Sequence, residues 1–177
     1  MPTHIVLLKG INVSGHKKVP MAELRQVLAE SGFQNVRTYI QSGNIVLESS
    51  ETVRELEDKI HKTIRDHFGF DVSIIVKTRE ELQTIFDHSP FSKEKKENSY
   101  FIMFGKVPDK NLLKEIASIS YENEEVVIKE NALYFYSAAG YGKAKFNMNT
   151  YERKLKVSGT ARNYNTMVKL LSLSAEN

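Results

Sequence analysis

The apolar positions change period along the chain, and each change marks an element. Ile5 to Leu8 is apolar without a break, which predicts a central strand over residues 4–9 that is covered on both faces. From Pro20 onward, Met21, Leu24, Val27 and Leu28 recur at helical spacing, and Gly32 supplies the stop. Val36 to Gln41 alternates, with Val36, Thr38 and Ile40 on one face and Arg37, Tyr39 and Gln41 on the other, as in a half-exposed strand. Ser42-Gly43 then turns the chain, and Asn44 to Leu47 returns as the hairpin partner. Thr52-x-x-Glu55 is a capping box opening a second helix with Val53, Leu56, Ile60 and Ile64 on one stripe. That helix ends near Gly69, and Val72 to Val76 is a fourth strand. Residues 1–77 thus follow the order β-α-β-β-α-β, which predicts an α+β domain of ferredoxin-like type, an α/β plait. Its single antiparallel sheet carries both helices on one face.

The remaining chain repeats this pattern less cleanly. Thr78-x-x-Glu81 opens a short helix with Leu82, Ile85 and Phe86, and Ser92 to Asn98 is charged and polar, so residues 78–98 read as a helical linker. Ser99 to Phe104 is a strand, and Asp109 caps a helix with Leu112, Leu113 and Ile116. Val126 to Lys129 and Ala132 to Tyr136 pair across Glu130-Asn131, and Met148, Tyr151 and Leu155 mark another helix. Residues 99–177 therefore predict a second, incomplete plait, β-α-β-β-α, followed by a C-terminal helix with Tyr164, Met167, Val168 and Leu171 on one stripe. The one candidate for a fourth strand is the weak stretch Lys156 to Ala161.

The absence of cysteine excludes disulfides, a thiolate nucleophile and a thiolate zinc site. No apolar run approaches the roughly 20 residues that span a bilayer, so a soluble, cytoplasmic protein without a membrane partner is expected. His4, His16, His61, His67 and His88 show no metal-ligand spacing, and no serine sits in a Gly-x-Ser-x-Gly elbow. Neither a metal nor a cofactor is expected, and enzyme signals are weak. The pattern carries no signal for oligomeric state. Charge does change the picture. The net charge is only +3, but Lys143 to Lys169 holds Lys143, Lys145, Arg153, Lys154, Lys156, Arg162 and Lys169 against Glu152 alone. That stretch is +6 and the remainder −3, which suits either an anionic partner or a solvated basic face.

The plait topology places three connections at one end of the first sheet: Gly10–Lys18, Ser42-Gly43 and the corner at Gly69–Asp71. The first helix also points its N-terminus there. Candidate ligand-binding groups at this end are Gly10, Asn12, Gly15, His16, Lys17, Lys18, Ser42 and Asn44, joined from the basic segment by Lys145, Arg162 and Asn163. Gly10-x-x-x-x-Gly15-His16-Lys17 comes close to a Walker A loop, but His16 occupies the lysine position and the sheet is not parallel, so a P-loop NTPase is rejected. Two readings stay open, a looser nest of backbone N–H groups for an anion or glycines that merely shape a long loop. Arg162 and Asn163 are expected at the start of the last helix, where a cation beside the positive dipole end calls for a compensating anion. In the second half, Tyr100, Phe101 and Phe104 with Tyr134, Phe135 and Tyr136 offer either a base-stacking platform or, more simply, packing.

Leu-Leu-Lys-Gly-Ile-Asn-Val-x-Gly, Pro-Met-x-x-Leu-Arg and Thr-Tyr-Ile-Gln-Ser-Gly-Asn resemble the opening of the domain-of-unknown-function 1697 family. Lys145 and Thr-x-Arg-Asn-Tyr-Asn-Thr resemble its closing signatures. The resemblance implies a bacterial, cytosolic protein of tandem α/β plaits and implies no activity. Ser14 stands where that family usually has glycine, and Tyr164 where it usually has tryptophan. Three functions are carried forward. The first is binding of a phosphate-bearing ligand, nucleic acid ahead of a nucleotide, through the Gly/Lys loop and the basic segment. The second is a small-molecule enzyme with its site between the halves, and the third a non-catalytic interaction module using exposed strand edges.

Overall fold

A computed structural model describes residues 1–129 and 131–175. The first sheet has the order β2-β3-β1-β4, built from β1 (Thr3–Lys9), β2 (Gln34–Tyr39), β3 (Asn44–Glu48) and β4 (Ser73–Thr78), with every neighbour antiparallel. The unbroken apolar run places β1 in the middle, and Ile5, Val6, Leu7 and Leu8 are all fully buried. Alternate residues of the sheet (Val6, Leu8, Ile45, Leu47, Val76) form one core with Leu24 and Leu28 of α1 (Met21–Glu30) and Leu56, Ile60 and Ile64 of α2 (Val53–Phe68). The capping box at α2 is closed in both directions, Glu55 N to Thr52 Oγ1 and Thr52 N to Glu55 Oε2, and Gly69 ends that helix at φ 84°.

The second sheet repeats this order as β6-β7-β5-β8, from β5 (Tyr100–Phe104), β6 (Glu124–Lys129), β7 (Ala132–Ser137) and β8 (Gly159–Asn163). Helices α5 (Lys110–Ile116) and α6 (Met148–Leu155) supply its two helical segments. The plait is therefore complete, and the expectation of a missing fourth strand is corrected. Gly159-Thr-Ala-Arg-Asn shows no apolar alternation, and its glycine answers a packing demand. A Cβ on Gly159 would stand 2.4 Å from Met148 Cε and 3.2 Å from Ile102 Cγ2. The hydrogen-bond ladder to β5 is what makes this stretch a strand, running from Tyr100↔Asn163 to Phe104↔Gly159. Arg162, expected at a helix start, accordingly lies inside β8 opposite Phe101. The helix α7 (Tyr164–Ala175) begins two residues later, with Asn163 Oδ1 accepting from Thr166 N. Glu130, expected in the turn between β6 and β7, lies outside the described residues.

The chain groups into two compact units, Met1–Gln83 with the segment from Val168 on, and Thr84–Met167. The divisions fall within α3 (Arg79–Asp87) and within α7. The charged stretch after Pro90, within the expected helical linker, contains a five-residue helix, α4 (Lys93–Glu97).

The close approach at Gly159 generates a stability prediction. Gly159→Val should destabilise the protein by about 1–3 kcal/mol through overpacking against Met148 and Ile102, with Gly159→Ala intermediate. Urea denaturation midpoints at constant m-value would check this.

Candidate functional site

The stretch Gly10–Lys18 is a miniature hairpin. Asn12 N donates to Lys17 O at 3.0 Å and His16 N to Val13 O at 2.9 Å, so Val13 and His16 form a β-bridge. Ser14 and Gly15 at the tip both have positive φ, 50° and 77°, the signature of a type I′ turn. Glycine is preferred at both central positions of such a turn, so Ser14 holds its left-handed backbone at a cost that glycine would not carry. Asn12 and Lys17 also adopt positive φ, 53° and 47°. Left-handed backbone at three non-glycine residues is held in place by the side chain of Asn12. Its Nδ2 donates to Val19 O at 2.9 Å and to Gln41 O at 2.7 Å, while its Oδ1 accepts from Val19 N at 2.8 Å. One amide thereby ties the hairpin to the entry of α1 and to the β2–β3 turn.

The other two connections of this end join the same assembly. Lys17 Nζ donates to Asp71 O at 2.8 Å, and the Asp71 carboxylate pairs with His61 Nε2 at 3.0 Å. Gly43 O accepts from Leu8 N at 2.8 Å, and a Cβ on Gly43 would stand 2.6 Å from Leu8 Cβ, so the turn must have glycine there. Asn44 is fully buried, donating to Tyr39 O and to Ser42 Oγ. The candidates at this end thus divide by role. Asn12, Ser42 and Asn44 hold the connections together, Gly10 and Gly15 supply left-handed backbone, and His16, Lys17 and Lys18 are exposed. Val13 and Ile40 are exposed too, at 58% and 50%, so the end carries apolar as well as cationic groups. Pro20 precedes α1 without a side-chain cap.

In the second unit, Lys145 is exposed, and its backbone N–H and that of Phe146 both donate to the carboxylate of Glu124. Of the seven basic residues between Lys143 and Lys169, Arg162 alone is buried. Its Nη1 donates to Thr160 Oγ1 at 2.7 Å and to Ala161 O at 2.9 Å, and burial pulls the guanidinium down to about 10, leaving it charged at neutral pH. Asn163 is exposed and caps α7. Of the aromatic residues offered as a base-stacking platform, Phe101 and Tyr134 are buried and covered from within the unit. Phe86 stacks on Phe101 at 5.5 Å, Tyr134 Oη donates to Ile85 O at 2.6 Å, and Phe91 packs on Tyr136. That sheet face is a packing surface.

Sequence reasoning missed Lys77 of β4, which is 5% exposed. Burial lowers its pKa, opposed by Glu81 and Glu57, while burial raises that of Glu57. Its signal lies in the strand pattern, since a lysine follows three apolar residues, Ile74-Ile75-Val76, on a strand paired to β1. Among the described residues no group of three or more His, Asp or Glu side chains is placed to hold a metal, and no helix is long and apolar enough to cross a membrane.

Two ferredoxin-like sheets, with the connections of the first locked at one end, define a tandem α/β-plait protein. The chain belongs to the family described as "Protein of unknown function (DUF1697)", whose family model matches residues 1–134. The closing motifs, Lys145 and Thr160–Thr166, lie beyond the matched residues. Among solved structures, the chain is similar to conserved bacterial protein SP0830 from Streptococcus pneumoniae, at TM-score 0.79 and 24% identity over 98% of each chain. At that identity the likeness is one of fold. No curated protein matches the chain.

Two predictions come from this geometry. Asn12→Ala removes three hydrogen bonds and puts alanine at positive φ, so it should cost about 2–3 kcal/mol by urea denaturation, whereas Ser14→Gly should stabilise by about 0.5–1 kcal/mol. Lys77 has a folded pKa below its unfolded value, so the unfolded chain binds more protons between the two, and its contribution rises with pH across that window. Lys77→Met should therefore stabilise the protein at neutral pH, on the order of 1 kcal/mol, and remove that alkaline rise.

Proposed function

We propose that this protein binds a phosphate-bearing ligand, nucleic acid in preference to a free nucleotide, with the Gly10–Lys18 hairpin as the primary contact. The observation that carries the reading is the rigid presentation of His16, Lys17 and Lys18 on a strained hairpin locked by Asn12. Left-handed backbone at non-glycine residues costs free energy, and such strain collects where a loop must hold one shape for recognition. The same end carries the N-terminus of α1, which has no side-chain cap and whose dipole favours an anion, with Glu23 as the acidic residue of its first turn. No acidic residue occurs between Lys9 and Met21.

Nucleic acid is preferred because exposed cations occur on each unit. Lys143, Lys145, Arg153, Lys154 and Lys156 are exposed in the second unit, and Lys169 is exposed on α7, a pattern that suits a polyanion better than one phosphate group. Arg162 contributes charge from within β8, with its donors turned to Thr160 and Ala161. Exposed Val13 and Ile40 at the same end as the hairpin lysines offer apolar surface to bases, which an unpaired strand presents.

Fluorescence anisotropy with labelled single-stranded RNA tests the reading. Affinity should fall linearly with salt on a double-logarithmic plot. Lys17→Ala/Lys18→Ala should reduce that slope by about 1.4, at about 0.7 for each phosphate that is no longer neutralised. An affinity absent even at low salt would remove nucleic acid as the ligand.

A further inference from the structure

We propose that the hollow beside Tyr141 in the second unit binds an uncharged nucleoside, holding its base against tyrosine rings and reading the base edge with asparagine side chains. The hollow has a volume of about 440 Å³, within the range of small-molecule sites. Tyr100, Tyr136 and Tyr141 line it together with Asn98, Asn163 and Asn165.

The rings are held in place before any ligand arrives. Tyr141 stands on the single 3-10 turn Tyr141–Lys143 that follows β7, just after Gly140 at φ 86°. It packs on Tyr100 at 4.4 Å between centroids and edge-on to Phe135 at 5.7 Å, yet is 38% exposed. Tyr136 is backed by Phe91 at 6.2 Å and has Lys95 Nζ 5.4 Å from its ring centroid. Rings fixed in this way lose little freedom on binding a flat ligand. A base–aromatic stack needs one open π-face, and Tyr141 keeps part of its surface open to solvent.

The polar groups select the kind of ring. An asparagine amide carries both donor and acceptor atoms, which matches the mixed edge of a nucleobase and not a plain hydrocarbon ring, and two of the three are oriented by bonds of their own, Asn98 Nδ2 to Glu94 O and Asn163 Oδ1 from Thr166 N. Burial, and then Tyr100, push the Tyr141 phenol upward, so it stays a neutral hydroxyl at physiological pH. The charged residue lining the hollow is Glu97, and no lysine or arginine lines it among the described residues. That balance disfavours a phosphate group and favours a neutral nucleoside. The site uses none of the hairpin residues, so the two proposals can fail separately.

Isothermal titration of the full-length protein with adenosine, guanosine, cytidine and uridine tests the site. At least one should bind with Kd below about 1 mM, nearly independent of salt. Tyr141→Ala should weaken that binding by at least about fivefold, Tyr141→Phe should keep most of it, and Lys17→Ala/Lys18→Ala should leave it unchanged. Should Tyr141→Ala prove unfolded by circular dichroism, Asn165→Ala must show the weakening instead. No binding by any nucleoside at 1 mM ligand, on the order of the weakest useful affinity, overturns the proposal. So does binding that neither Tyr141→Ala nor Asn165→Ala alters, whatever RNA binding at the hairpin shows.

Discussion

The amide of Asn12 is the constraint on which the first unit's loop end depends. The connection from β1 to α1 has only the short ladder of its own hairpin to hold it, and left-handed backbone at Asn12, Ser14 and Lys17 works against order. The three hydrogen bonds of one side chain offset that cost by joining the hairpin to Val19 and Gln41. Lys17 then reaches Asp71 O, and Gly43 O holds Leu8 N, so the three connections become one body. Of the hairpin's cations, Lys17 is itself part of this tie through Asp71 O, while His16 and Lys18 are exposed beside it. That makes the hairpin a surface with a defined shape.

The first plait was legible because each element carried its own signal. The unbroken run at Ile5–Leu8 marked the central strand, and the Thr52/Glu55 and Thr78/Glu81 boxes marked helix starts to the residue. The topology then placed the three connections at one end without any motif. What local pattern did not carry was β8. Its first residue is glycine because Met148 and Ile102 come close, and that is a tertiary demand with no period in sequence. Missing that strand also misplaced Arg162, which looked like a cation at a helix start and proves to be a buried strand residue.

Burial sets the basic segment apart from its appearance in sequence. Seven basic residues read alike as letters, yet burial separates Arg162, bonded to Thr160 and Ala161, from six that face solvent. Lys77 is the counterpart in the first unit, a lysine whose burial works against its charge. The aromatic run of the second half divides in the same way. Phe101 and Tyr134 are covered by Phe86 and Ile85, whereas Tyr141 stays half open beside a hollow that no motif marks. Which member of a run is available for recognition is decided by packing, not by residue type.

The central claim, that the locked hairpin is the binding surface, is tested most directly by titrating 15N-labelled protein with a short single-stranded RNA at low salt and following backbone amide shifts. The account predicts that the largest progressive shifts fall on Gly15, His16, Lys17 and Lys18 and on the first turn of α1. Shifts confined to other parts of the chain, with these amides unmoved at saturation, would contradict it.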